Sequence, residues 1–195
     1  MGRYGKDRKQ ATRRRIVETA GRRLKRDGID GSGVAALMSD AGLTNGAFYA
    51  HFASKEDLVA TVVADQLRDQ QDRLATAACG RAGVGQMVRA YLSPEHRDNA
   101  GDGCPSAALL DEIGRCGEPV REAYTDGVLG IAGYIAARLA PGVPESARVA
   151  VLAVFASMIG TLQLSRALAD RQLANDVLEA GVRTALAALD AVLPR

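Results

Sequence analysis

The chain has 195 residues, 47% of them hydrophobic, and a net charge of +2. That is enough apolar material for one large helical unit or two small ones. Only 4% of residues are aromatic and there is no Trp, so the core is expected to be built from Ala, Leu and Val. Three cysteines exclude a disulfide scaffold. A charged N-terminus, and the lack of an uncharged apolar run of about 18 residues, point to a cytoplasmic protein with no membrane segment. The charge is unevenly spread: residues 1–55 hold twelve Lys/Arg against five Asp/Glu, and the remainder thirteen against eighteen. This pattern fits a polyanion-binding head on a body that takes a partner or ligand.

Residues 1–11 are basic and polar, contain two glycines, and read as a mobile arm. From Ala11 to Asp27 the period is helical: Ile16, Ala20 and Leu24 share one face, and Arg13, Arg14, Arg15, Arg22, Arg23 and Lys25 fill the other. Gly28 ends this helix. Gly31-Ser32-Gly33 is a turn, and Val34, Leu37, Met38 and Ala41 form the buried stripe of the next helix. Gly42 stops that helix. Thr44 then stands as the N-cap of a third helix, on which Phe48 and Phe52 lie one turn apart. Two short helices joined by a glycine-containing turn form the helix-turn-helix layout, whose second helix enters the DNA major groove. Asn45, Gly46, Tyr49 and His51 are set apart from the two phenylalanines, which leaves one side for the domain and one for DNA.

Ser54 opens a long helix with a capping-box-like Ser54-Lys55-Glu56-Asp57. Leu58, Val62, Val63, Leu67 and Leu74 carry its period to about Cys79, and it joins head to body. Further helices are expected from Val84 or Gly85 to Leu92, from Pro105 to near Gly117, and from Pro119 to the interruption at Pro141, Gly142 and Pro144. Residues 93–103 read as a polar loop. The stretch from Ser146 to Ala169 is apolar nearly all round, which in so small a domain implies burial against a second subunit. A last helix runs from about Ala174 to Leu193. No strand period or internal repeat occurs. The fold class is therefore all-α, about nine helices: a three-helix head over residues 1–55 and a helical ligand-binding and dimerisation body over residues 56–195.

The first 60 residues resemble the TetR family of bacterial transcriptional repressors. The resemblance rests on Gly28-Ile29-Asp30-Gly31, Leu37, Ala41-Gly42-Leu43-Thr44, Gly46, Phe48-Tyr49-Ala50-His51-Phe52 and Lys55-Glu56-Asp57-Leu58. The body resembles members that carry Gly-Cys-Pro, here Gly103-Cys104-Pro105-Ser106-Ala107-Ala108-Leu109-Leu110-Asp111-Glu112. The resemblance implies a homodimer on a double-stranded DNA operator, with a body that binds a small-molecule effector. It places Thr44, Tyr49, His51 and Lys55 as phosphate contacts, and Asn45, Gly46 and Ala47 where base edges are reached. An amide such as Asn45 pairs bidentately with adenine. The family's frequent Thr at the start of the second helix is replaced here by Gly33 and Val34, so Ser32 is the candidate to supply that hydroxyl. Arg15, with Arg13 and Arg14 beside it, is a candidate phosphate contact from the first helix.

In the body, Cys104 precedes Pro105 at a helix N-terminus, a setting that favours a thiolate able to sense an oxidant or electrophile. Tyr124, Phe155, Met158 and Gln163 are further candidates for an apolar pocket with a few polar handles. Neither a metal cluster nor a phosphate loop nor a paired-acid site is legible, so no cofactor, metal or enzymatic activity is expected. The reading is a repressor released from a near-palindromic operator by a small molecule or electrophile. The alternatives are a thiol-based sensor using Cys104 and a helical adaptor that no longer binds DNA.

Overall fold

The computed structural model describes residues 2–76, 80–139 and 144–192; Cys79 and the breaks expected at Pro141 and Gly142 lie outside them. The described residues form α1 (Gly2–Asp27), α2 (Val34–Asp40), a 3-10 turn (Asn45–Ala50), α3 (Lys55–Thr76), α4 (Gly80–Tyr91), α5 (Pro94–Asp98), a second 3-10 turn (Ala100–Asp102), α6 (Pro105–Arg115), α7 (Glu118–Leu139), α8 (Pro144–Ala167) and α9 (Arg171–Val192). There is no strand among them.

Several boundaries differ from the sequence expectation. The first helix begins at Gly2 rather than Ala11. Lys6 to Gln10 are mostly unbranched helix formers, and isolated glycines only weaken a helix, by about 1 kcal/mol each. The segment expected as a loop after Leu92 contains α5. Ser93 caps it by accepting the His96 N–H at 3.1 Å, and Pro94 takes the first helical position, where its missing N–H is harmless. The last helix starts at Arg171 rather than Ala174, because the Asp170 carboxylate accepts the N–H groups of Gln172 and Leu173.

In the head, Ile16, Ala20, Leu24, Leu37, Met38, Phe48 and Phe52 are buried together. The turns that fold α1, α2 and the 3-10 segment around this core need left-handed backbone at Gly28 (φ 82°) and Gly42 (φ 66°), which glycine adopts without a Cβ clash. The same cluster continues through Leu58, Val62 and Leu67 of α3 into Leu109 and Ile113 of α6 and Val120 and Ile131 of α7. Head and body thus share a hydrophobic core across position 55. Along this seam α3 packs on α7 so closely that a Cβ at Gly127 would lie 2.6 Å from the Leu67 side chain.

A second cluster joins α4, α7, α8 and α9 through Val88, Ala132, Ala136, Val151, Leu162 and Leu178. The α8 segment Ala147–Ala167 has a mean hydropathy of 1.7 and the length to cross a membrane, and a third of it is buried within the chain. Its covered face lies on α7 and α9. Its open face carries Val149, Ala153, Ala156, Gly160 and Leu164, with Val149 72% exposed.

Candidate nucleic-acid interface and body cavity

The head surface is built outward from the phenylalanines. Phe48 and Phe52 stack at 5.7 Å, and both are buried. The Arg13 guanidinium lies 4.3 Å over the Phe52 ring and donates to the Thr61 hydroxyl at 3.4 Å, so Arg13 fastens α1 to α3. With one side anchored, the 3-10 turn presents the other to solvent. Thr44, Asn45, Gly46 and Tyr49 are exposed, and Ala47 is half-buried. The Tyr49 ring meets Phe48 edge-on at 5.2 Å yet is 74% exposed. The segment expected as an α-helix is a 3-10 turn, preceded by Thr44 in extended conformation with no side-chain cap bond. The Thr44 hydroxyl is therefore not committed to capping.

The other expected contacts are placed differently. Ser32 is fully buried, and its hydroxyl donates to the Gly28 carbonyl at 2.7 Å. It holds the α1–α2 turn and does not reach the surface as a substitute phosphate ligand. Lys55 Nζ donates to the Ile29 carbonyl at 2.5 Å, tying the start of α3 to the same turn while remaining half-exposed. His51 is half-buried, and its Nδ1 is buried without a partner. Burial first, then Lys9 and Arg13, push its pKa down, so it stands as a neutral imidazole beside Arg8, Lys9 and Thr12. Arg15 lies on the exposed side of α1. A Cβ built on Gly46 meets nothing within 4 Å, so the chain's own packing does not require glycine there.

The start of α3 is fixed by a reciprocal cap. The Ser54 hydroxyl accepts the Asp57 N–H at 3.0 Å, and the Asp57 carboxylate accepts the Ala53 N–H at 2.9 Å. The return bond goes one residue further back than in the usual capping box.

In the body, a cavity of about 70 Å³ lies between α3, α4, α7, α8 and α9, lined by Met87, Val88, Ile135, Val154, Phe155 and Met158 among others. Gln70 and Tyr91 bring its polar groups. Phe155 and Met158 were expected from the sequence; Tyr91 and Gln70 were not, because at helical spacing a tyrosine and a glutamine look like an ordinary helix face. The structure does not bring the other expected residues to this lining. Tyr124 donates its hydroxyl to Ser106 at 3.1 Å. Gln163 is exposed, with its amide 3.5 Å from the Ala107 carbonyl. Cys104 is buried at the N-cap of α6, one layer behind: its thiol donates to Gln70 Oε1 at 3.4 Å, and its backbone N–H to His96 Nε2 at 3.0 Å. His96 Nδ1 faces the Tyr91 carbonyl at 2.7 Å. With Nε2 accepting, Nδ1 must carry the proton, so the network requires a neutral ring.

Head and body meet through polar bonds as well. The Glu112 carboxylate of α6 accepts the Asp30 N–H at 2.9 Å, and Lys25 of α1 donates to the Gly103 carbonyl, next to Cys104, at 2.9 Å.

Residues 16–62 match the family model of bacterial regulatory proteins of the tetR family. Over these residues the chain carries a TetR-family head. It is 37% identical over 78 residues to the HTH-type transcriptional regulator TtgR of Pseudomonas putida, an alignment spanning 40% of this chain and 37% of that relative. Solved structures extend the likeness in fold to both parts. The reduced form of E. coli NemR superposes with a TM-score of 0.75 at 18% identity, over 90% of this chain and 95% of its own. A TetR-family regulator from Agrobacterium tumefaciens gives 0.75 at 20% identity, over 92% and 97%. The sequence likeness is concentrated in the head, and the body is similar to these structures in fold.

Proposed function

We propose that the chain is a homodimeric transcriptional repressor whose head, residues 1–55, grips an operator and whose body, residues 56–195, binds an effector that releases it. The observation that carries this reading is the surface of the 3-10 turn. Its apolar side is locked by Phe48 and Phe52, and Asn45, Gly46 and Tyr49 project from a basic domain. Asn45 reads a base edge; Thr44, Tyr49 and His51 donate to phosphates. Arg15 and Lys55 supply charge and release counterions on binding.

Two heads reading a near-palindromic site require two-fold symmetry. The open stripe of α8, beside Ala180, Thr184 and Ala187 exposed on α9, suits a four-helix interface between two copies. This arrangement fits a cytoplasmic location. Release follows if an effector favours a different head spacing, passed on through α6, which touches Cys104 at one end and Asp30 at the other. The test is a gel shift with the DNA upstream of the chain's own gene. A shifted band that Asn45→Ala and Tyr49→Ala abolish is expected; no shift at low salt would overturn the reading. A second reading is favoured by the Lys25–Gly103 bond, which sets the head directly against the Cys104 junction: covalent modification of that thiol would displace α1. Cys104→Ala that responds normally to electrophiles would exclude it.

A further inference from the structure

The body cavity carries information about what enters it. We infer that its ligand is a small neutral molecule, an apolar ring or short chain bearing one hydrogen-bond acceptor of the carbonyl kind, which takes the proton of the Tyr91 hydroxyl. The inference rests on the effector-binding reading above and specifies the effector's chemistry.

Size comes first. The cavity measures about 70 Å³, whereas a closed apolar cavity of about 150 Å³ accommodates benzene. It therefore admits at most a single ring, part of which emerges at the mouth. Charge comes second. No lining residue is charged. Of the nearby cations, Arg166 is committed to three carbonyls, those of Arg97, Ala107 and His96, at 3.1, 3.0 and 2.9 Å, and Arg138 to the Leu74 carbonyl and the Tyr134 ring. A carboxylate or ammonium ligand would lie there uncompensated.

The polar handle comes third. The buried Tyr91 hydroxyl has the Cys104 thiol beside it, a weak acceptor whose own proton goes to Gln70, and no oxygen or nitrogen partner. A buried donor left unpaired is unfavourable, and phenylalanine would avoid it. Nor does the ring swing freely to seek another partner. It is held edge-on against His96 at 4.7 Å and Phe155 at 5.6 Å. Burial raises the phenol pKa far above neutrality, so Tyr91 offers a proton and calls for an acceptor. Gln70, the other polar lining group, already has its carbonyl engaged by Cys104.

The test is calorimetric titration of the full chain with three probes of matched shape: acetophenone, ethylbenzene and benzoate. Acetophenone is expected to bind about threefold to tenfold more tightly than ethylbenzene, the ratio a net hydrogen bond supplies, and benzoate most weakly. Tyr91→Phe should erase the acetophenone advantage and keep ethylbenzene binding. Val154→Phe, which fills the cavity, should remove both. Equal affinities, a preference for benzoate, an advantage that survives Tyr91→Phe, or no binding at all would each overturn the inference. The gel shift separates this from the reading beneath it. DNA binding without a carbonyl preference refutes the ligand class alone, whereas a Tyr91-dependent preference with no effect on DNA refutes the regulatory reading and leaves the site.

Discussion

Tyr49 and Phe48 are neighbours in sequence with opposite fates, one 74% exposed and the other fully buried. Beyond its edge-on contact with Phe48, a ring left in water adds little burial to the fold, and in the proposed function it meets DNA. Gly46 makes the same point in reverse, since the chain leaves open space where its Cβ would be. Gly46→Leu is therefore expected to leave the melting temperature within a few degrees of wild type, as surface changes within about 0.5 kcal/mol do. It should weaken operator binding at least tenfold in a gel shift; undiminished binding would remove Gly46 from the interface.

His96 gives a pH signature at the same scale. Burial holds its pKa below the usual imidazole value; the hydrogen bond to the Tyr91 carbonyl pulls the other way, and Arg166 and Lys25 add lesser downward pushes. The native state therefore resists a proton that the unfolded chain accepts. The stability it contributes is complete above the unfolded pKa of about 6.5 and declines as pH falls below it. Thermal melts between pH 7.5 and 5 should show a falling midpoint, and His96→Gln should flatten part of that slope. The same slope in both proteins would show that His96 does not cause it.

Arg166 acts on whole elements. From α8 its guanidinium donates to carbonyls of α5 and α6; those of His96 and Arg97 lie in the last turn of α5, where the helix itself supplies no N–H partner. Beside it, buried Arg97 bonds Asn175 of α9 at 2.7 Å and shares the Asp98 carboxylate with Arg171, which holds the Asp98 pKa well below the usual carboxylate range. These bonds fix a short helix that its own five residues would not sustain. A lysine carries its three donors on one nitrogen and cannot span the three carbonyls that the planar guanidinium reaches from three nitrogens. Arg166→Lys should cost roughly 2 kcal/mol, read as a lower denaturant midpoint with an unchanged slope; a shift under 0.5 kcal/mol would show that the fork contributes little.

At the scale of the whole molecule, the proposed dimer uses the open faces of α8 and α9. Val149, Leu164 and Leu173 are the large apolar side chains left exposed there, and the small residues between them allow close helix approach. Gly160 has nothing near its Cβ position within the chain, so Gly160→Glu should fold normally yet place a charge in the interface. Sedimentation should then report a monomer, and operator affinity should fall by at least a hundredfold, because one head alone makes half the contacts. A dimeric Gly160→Glu protein would place the interface elsewhere.

The all-α class, the run of long helices and the helix-turn-helix with its TetR character are legible in the sequence. They rest on local signals: apolar spacing along α1 and α3, glycines where the backbone turns left-handed, and Phe48 and Phe52 one turn apart. Ser32, Lys55 and Tyr91 are of another kind. Whether a hydroxyl or an ammonium faces DNA or bonds a carbonyl many residues away depends on which turn folds over it. In Ser32 the Gly28 carbonyl captures the hydroxyl, and in Lys55 the Ile29 carbonyl engages the ammonium. The helical path of the Asn45 segment, the capped turn at Ser93 and the cavity beside Tyr91 belong to this second kind as well. Sequence by itself determined which segments are helical and which end of the chain is basic, because those properties are set within a few residues. Only the tertiary structure decided which polar groups remain free to act, because burial and hydrogen-bond pairing are settled between residues far apart in the chain.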